Sequence, residues 1–197
     1  MLAGAAVGHA GGERGAAPAL VAVGDGPADV ATGFATGRGR VVTVAHAVPG
    51  RGTVTVRGPD GVARRARVVR RDEALDLAVL AVPGVPATRS ARRPRGLPAA
   101  RSTRAPRGVA VLVRRGATVR ALAVREQRRV RASIHHAGDA RVVHRPVLAL
   151  RAAIAPGDSG APVVAGGRVV GVVFARSHDR AGVAYAVDAA ALARLTR

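Results

Sequence analysis

The chain has 197 residues, 48% of them hydrophobic, and a formal charge of +20 carried by arginine, since lysine is absent. That composition excludes a disordered chain, and the lack of cysteine excludes disulfides, thiolate catalysis and cysteine-based metal sites. Phe34, Phe174 and Tyr185 are the whole aromatic complement, so Val, Leu and Ala must fill any core that forms.

Residues 1–26 are mostly Ala, Gly and Pro and read largely as a flexible lead-in, with one apolar patch at Leu20 to Val23 that could lie along the domain. The opening MLAGAAVGHAGG is too short and too interrupted by glycine for a membrane helix, and has no basic region ahead of it as a signal peptide would. A first unit is expected over residues 27–95, with short Val-rich strands at Ala31–Thr36, Val41–Val44, Thr53–Arg57, Val62–Val69 and Leu77–Ala81. Gly37-Arg38-Gly39 reads as a tight hairpin connection and Pro59-Asp60-Gly61 as a turn. From Pro83 to Gly108 the pattern gives way to Pro, Arg, Ser and Gly, the composition of a linker.

A second unit, residues 96–197, carries expected strands at Val109–Val113, Thr118–Val124, Val130–Ile134, Val142–Leu150, Pro162–Ala165, Val169–Phe174 and Gly182–Ala186. The tail reads as a short helix capped by Asp188, with Ala190, Leu192 and Leu195 available to one face. Two strand-rich blocks about a linker suggest two small antiparallel barrels with chemistry in the crevice between them. Periodicity alone fits a β-sandwich nearly as well.

The arginine surplus admits two readings. One is a surface for nucleic acid, anionic lipid or anionic polymer. The other is a compositional habit that places arginine wherever a cation is needed. The scatter of arginines over both halves, and the absence of aromatic platforms for stacking, favour the second.

Three residues stand in settings that matter jointly. His46 follows a strand in VVTVAHAVPG, Asp76 precedes one in DEALDLAVLAV, and Ser159 lies in the turn-like PGDSGAP. Each alone is ordinary: a strand-end histidine, a turn cap, a turn serine. Together they supply what a serine nucleophile needs. The hydroxyl requires an imidazole to take its proton, and the imidazole requires a carboxylate on its other nitrogen.

These stretches, TGFATGRGRVVTVAHAV, LDLAVL and IAPGDSGAPVV, with GRVVGVVFARS and GVAYAVDAAAL after them, resemble the trypsin-like serine proteases of the chymotrypsin fold. The similarity runs from about Thr32 to Leu195. It is greatest to the bacterial branch, which includes the HtrA-type enzymes and the actinobacterial periplasmic proteases of the MarP type. The resemblance implies an all-β fold of two six-stranded antiparallel barrels with a short C-terminal helix. It also implies Ser159 as nucleophile, His46 as general base and then acid, and Asp76 as the orienting carboxylate. Gly157 and Ser159 would provide the backbone N–H groups of an oxyanion hole, and Asp158 would set the loop. In the animal enzymes that acid pairs with a freshly cut N-terminus. Nothing in this lead-in resembles such an activation site, so another partner is expected.

The chain departs from the family in having Ala161 where GDSGGP has glycine, and in lacking the cysteine pair of the MarP type. An alanine is compatible with active geometry if its φ is negative. The resemblance puts Ala153 at the base of the substrate pocket, with no acid there, so cleavage is expected after small or medium apolar residues. Phe174, Ala175 and Arg176 would form one wall and bind substrate backbone, although Phe174 alone reads equally as a core residue.

His135, His136, His144 and His178 have no metal-ligand spacing, and no metal or cofactor is expected. The expected function is a serine endopeptidase acting on proteins or peptides, without nucleic acid as a partner. The family resemblance implies a periplasmic or extracytoplasmic location and allows a membrane-attached parent chain. The rivals are a catalytically silent binding module of the same fold and an arginine-rich module for anionic surfaces.

Overall fold

The computed structural model describes residues 19–24, 30–37, 39–48, 50, 52–84, 108–125, 127–135 and 142–195. Six strands form the first unit: β1 (Leu20–Gly24), β2 (Ala31–Gly37), β3 (Arg40–Thr43), β4 (Thr53–Arg57), β5 (Ala63–Asp72) and β6 (Leu77–Ala81). They close into a barrel in the order β1-β2-β3-β6-β5-β4, sealed where Ala22 of β1 faces Arg57 of β4. The apolar patch read as part of the lead-in is therefore β1, and all five of its residues are buried. Its neighbours in sequence are so poor in apolar residues that the patch looked isolated; closure of the barrel requires it.

The second unit contains β7 (Ala110–Arg115), β8 (Thr118–Ala123), β9 (Gln127–His135), β10 (Val142–Arg151), β11 (Pro162–Ala165), β12 (Arg168–Arg176) and β13 (Val183–Asp188). Among the described residues these make one antiparallel sheet of seven strands, as many as the sequence pattern gives and one more than the six-stranded barrel the resemblance implies, in the order β8-β7-β11-β12-β13-β10-β9. A single helix, α1 (Ala189–Leu195), follows. The Asp188 carboxylate accepts the Ala190 N–H at 2.8 Å, as an N-cap should. The helix turns Ala189 and Leu192 inward and leaves Ala190 exposed, a rotation from the face read in the sequence. The middle of the linker, residues 85–107, lies outside the described residues.

With so few aromatics, the core is aliphatic. Phe34, Leu20, Leu77 and Leu80 are the largest fully buried side chains of the barrel, packed with Val21, Val23, Val41 and Val42. This cluster continues without a break into Leu112, Val172, Phe174, Val187 and Leu192 of the second unit. Each such side chain contributes about 1.5–3 kcal/mol by leaving water. The shared core holds the two units in register, and so positions whatever residues face each other across the boundary.

Candidate active site

His46 stands in a single 3-10 turn, Ala45–Ala47, just after β3. Asp76 closes the turn that leads into β6, where its N–H donates to Glu73 C=O at 3.1 Å. Strands β3 and β6 are paired, with Thr43 opposite Ala78, so the ladder brings the two residues to the same end. The Asp76 carboxylate then holds His46 twice. Oδ1 accepts the His46 backbone N–H at 3.0 Å, and Oδ2 meets the ring Nδ1 at 2.8 Å. Its own carbonyl accepts the Ala45 N–H at 3.1 Å.

This grip depends on an unusual backbone. Asp76 has φ of 52°, the one left-handed non-glycine residue among those described. Aspartate adopts that conformation more readily than most residues. Asp76 is buried, whereas about half of the His46 side chain is exposed. A buried carboxylate on Nδ1 fixes the proton there and leaves Nε2 as the acceptor.

Ser159 lies in the loop between β10 and β11. Asp158, fully buried, shapes that loop from inside: its carboxylate accepts the Ala155 N–H at 2.8 Å, and its carbonyl accepts Ala161 N–H at 2.9 Å. Gly157 has φ of +88° and Gly160 φ of +89°, so the chain reverses on each side of the serine. Ala161 has no such positive φ and is fully buried, which is the condition under which alanine replaces glycine without strain. Among the described residues, neither the Gly157 nor the Ser159 N–H donates to a protein acceptor. Two free amides in one tight loop are the donors an oxyanion needs.

The loop is fastened to the first barrel. Thr32 of β2 donates its hydroxyl to Gly157 C=O and its N–H to Ser159 C=O, both at 2.8 Å. Thr43, three residues before His46, donates its hydroxyl to Thr32 C=O at 2.9 Å. A continuous chain of bonds thus runs from the serine loop through β2 to the strand that delivers the histidine.

Against known proteins, the sequence matches the trypsin-like peptidase domain over residues 31–172. The chain belongs to that family. It is 34% identical over 166 residues to the serine protease Rv3671c of Mycobacterium tuberculosis, covering 82% of this chain and 40% of that protein. The chain thus spans about 40% of the length of the curated relatives it matches. The crystal structure of the Rv3671c protease in its active form superposes with a TM-score of 0.71 at 29% identity, covering 90% of this chain and 78% of that one. Its inactive form gives 0.68 at 30% identity, covering 89% and 86%. The resemblance to the MarP type read from the motifs is borne out, as is the chymotrypsin-like, mostly β architecture.

Within this loop the partner of Asp158 is the informative feature. It is Arg115, at the end of β7. One guanidinium nitrogen reaches Asp158 Oδ1 and the other meets Oδ2 at 2.6 Å, a two-pronged pair. The carboxylate raises the Arg115 pKa further above its ordinary value, chiefly through this hydrogen bond. The sequence offered no signal for it, because Arg115 is one of many arginines and lies 43 positions away. Thr32 and Thr43 were equally silent.

Between Ser159 and His46 the described residues show no hydrogen bond. The serine hydroxyl instead faces Phe174 C=O at 3.5 Å, the outer limit of such a contact. The Phe174 ring is buried in the shared core, 6.5 Å from the Tyr185 ring, while its backbone lines the serine loop. Next to it Ala175 is half-buried and Arg176 exposed, and Ala153 is exposed ahead of the loop. Of the other histidines, His144 meets Ser133 Oγ at 3.0 Å, His178 is exposed, and His136 lies outside the described residues.

Proposed function

We propose that the protein is a serine endopeptidase working through an acyl-enzyme. Ser159 Oγ attacks the scissile carbonyl carbon as His46 Nε2 takes its proton. The N–H groups of Gly157 and Ser159 hold the resulting oxyanion. His46 passes the proton to the leaving amine as the C–N bond breaks, and water then hydrolyses the ester by the same steps. The observation that carries this reading is the double hold of buried Asp76 on His46, at the backbone and at Nδ1. A histidine needed only for packing would not have one nitrogen fixed by a buried carboxylate and the other left open.

The reading extends to cleavage after small or medium apolar residues, supported by Ala153 and by the lack of an acid among the wall residues Phe174, Ala175 and Arg176. A peptide library tests it, and a dominant preference for arginine or lysine before the cut would sink it. The central experiment is hydrolysis of unfolded casein by the wild type and by Ser159→Ala, with both shown folded. The wild type is expected to cleave and the variant not to; equal rates would leave the serine a turn residue. A silent binding module gains one point of support, the orientation of the Ser159 hydroxyl toward Phe174 rather than His46. Catalytic hydrogen bonds often tighten only when substrate is bound, so labelling of Ser159 by a fluorophosphonate separates the two readings.

A further inference from the structure

We propose that Arg40, Arg65 and Arg67 form a binding site for a phosphate- or sulfate-bearing anion on the outside of the first barrel. The three line a concavity of about 600 Å³ with Thr53, Ala81, Pro83 and Gly84. Pairing explains why they converge. Arg40 of β3 and Arg67 of β5 are both opposite Ala81 of β6, and Thr53 of β4 is opposite Arg67. Cross-strand partners share a face, so one row reads Arg, Ala, Arg, Thr across four strands. The two arginine backbones stand about 10 Å apart with only a methyl group between them. Arg65, two residues from Arg67, joins the same face and donates to Thr53 Oγ1 at 2.8 Å.

What sets this group apart is convergence on one hollow with no carboxylate to offset its charge. Arg64 is paired with Asp60, Arg71 with Glu73, Arg115 with Asp158 and Arg129 with Asp188. Among the described residues none of Arg40, Arg65 and Arg67 meets a carboxylate. Three like charges around one hollow repel one another, and a multiply charged anion relieves that repulsion while accepting forked hydrogen bonds. An acidic peptide fits less well. Strands β3, β4, β5 and β6 are hydrogen-bonded on both sides within the closed barrel, which leaves no edge for a peptide backbone to join.

The site lies at the far ends of β3 and β6 from His46 and Asp76, roughly 15 Å along the strands. It therefore does not rest on the peptidase reading. Titration of the full chain with inorganic pyrophosphate at physiological salt, followed by calorimetry and amide NMR, tests it. Saturable one-site binding is expected, with shifts concentrated at Thr53, Ala81 and Gly84. The double variant Arg40→Ala/Arg67→Ala should lose about tenfold or more in affinity. Arg120→Ala/Arg131→Ala, an equal change of charge at exposed positions of the second unit, should stay within about twofold. Equal losses in both pairs, shifts spread over β9, or no saturation would overturn the proposal. So would a Glu-rich hexapeptide binding where pyrophosphate does not, which would make this a carboxylate-reading surface.

Discussion

Asp76 combines two demands in one residue: a left-handed backbone and a carboxylate aimed at an imidazole. Asparagine tolerates the same backbone, so Asp76→Asn isolates the chemistry. Its amide cannot hold the Nδ1 proton in the same way, and turnover at neutral pH is expected to fall about 10⁴-fold with little change in melting temperature. Retained turnover would show that the pair is structural. Gly157 and Gly160 make a second residue-level contrast, for both have positive φ. A methyl on Gly160 would overlap the Thr32 carbonyl and come within 2.9 Å of Thr43 Oγ1, whereas one on Gly157 meets nothing within 4 Å. Gly157→Ala should therefore cost only backbone strain, about 1–2 kcal/mol. Gly160→Ala must push the serine loop off the barrel and should abolish fluorophosphonate labelling. Similar melting temperatures for the two variants would contradict this packing argument.

At the scale of elements, the end of β7 and the serine loop act together through Arg115 and Asp158. Removing the guanidinium leaves a fully buried carboxylate unpaired. Arg115→Ala is expected to destabilise by about 2–4 kcal/mol, less than a wholly buried pair because Arg115 is partly exposed. Since the loop carries Ser159, kcat should fall more than KM rises. Arg115→Lys keeps the charge but not the fork, and should recover only part of the loss. If both variants label as fast as wild type, the pair does not set the loop. The turn joining β4 and β5 offers a pH test. Arg64, and then the Val62 N–H, hold the Asp60 carboxyl down to about 2. Because the folded value is depressed, the link contributes above the unfolded value of roughly 4 and is lost as pH falls through about 2. An NMR titration of Asp60 midway near 4 would show that the turn does not hold it.

Across the whole molecule, the bonds from Thr32 to Gly157 and Ser159 tie the second unit's loop to the first barrel's wall. Thr32→Val keeps the shape and the backbone bond but removes the hydroxyl donor. It should cost about 1 kcal/mol in global stability, typical of one hydrogen bond. The cost to peptide hydrolysis should be larger, because Ser159 and His46 are carried on different units. Loss of activity in strict proportion to stability would argue that the units align without this tether.

Alternating Val-rich runs and turn residues made nearly every strand legible, because strand periodicity is a local property of the backbone and its burial. Thr53–Arg57, Leu77–Ala81 and Pro162–Ala165 coincide with strands residue for residue. The three motifs around His46, Asp76 and Ser159 were equally legible, since each needs a specific residue type within a short stretch. Partnership was not. Nothing local marks Arg115 among so many arginines, or Thr32 and Thr43 among ordinary strand threonines. Their roles arise when closure of the barrel and a shared core bring distant positions within bonding distance. For the same reason β1 was hidden: four apolar residues and a glycine become a strand only when β2 and β4 are there to pair with them. Composition and pattern determined which chemistry the chain could carry; tertiary pairing decided which atoms hold its loop and its histidine in place.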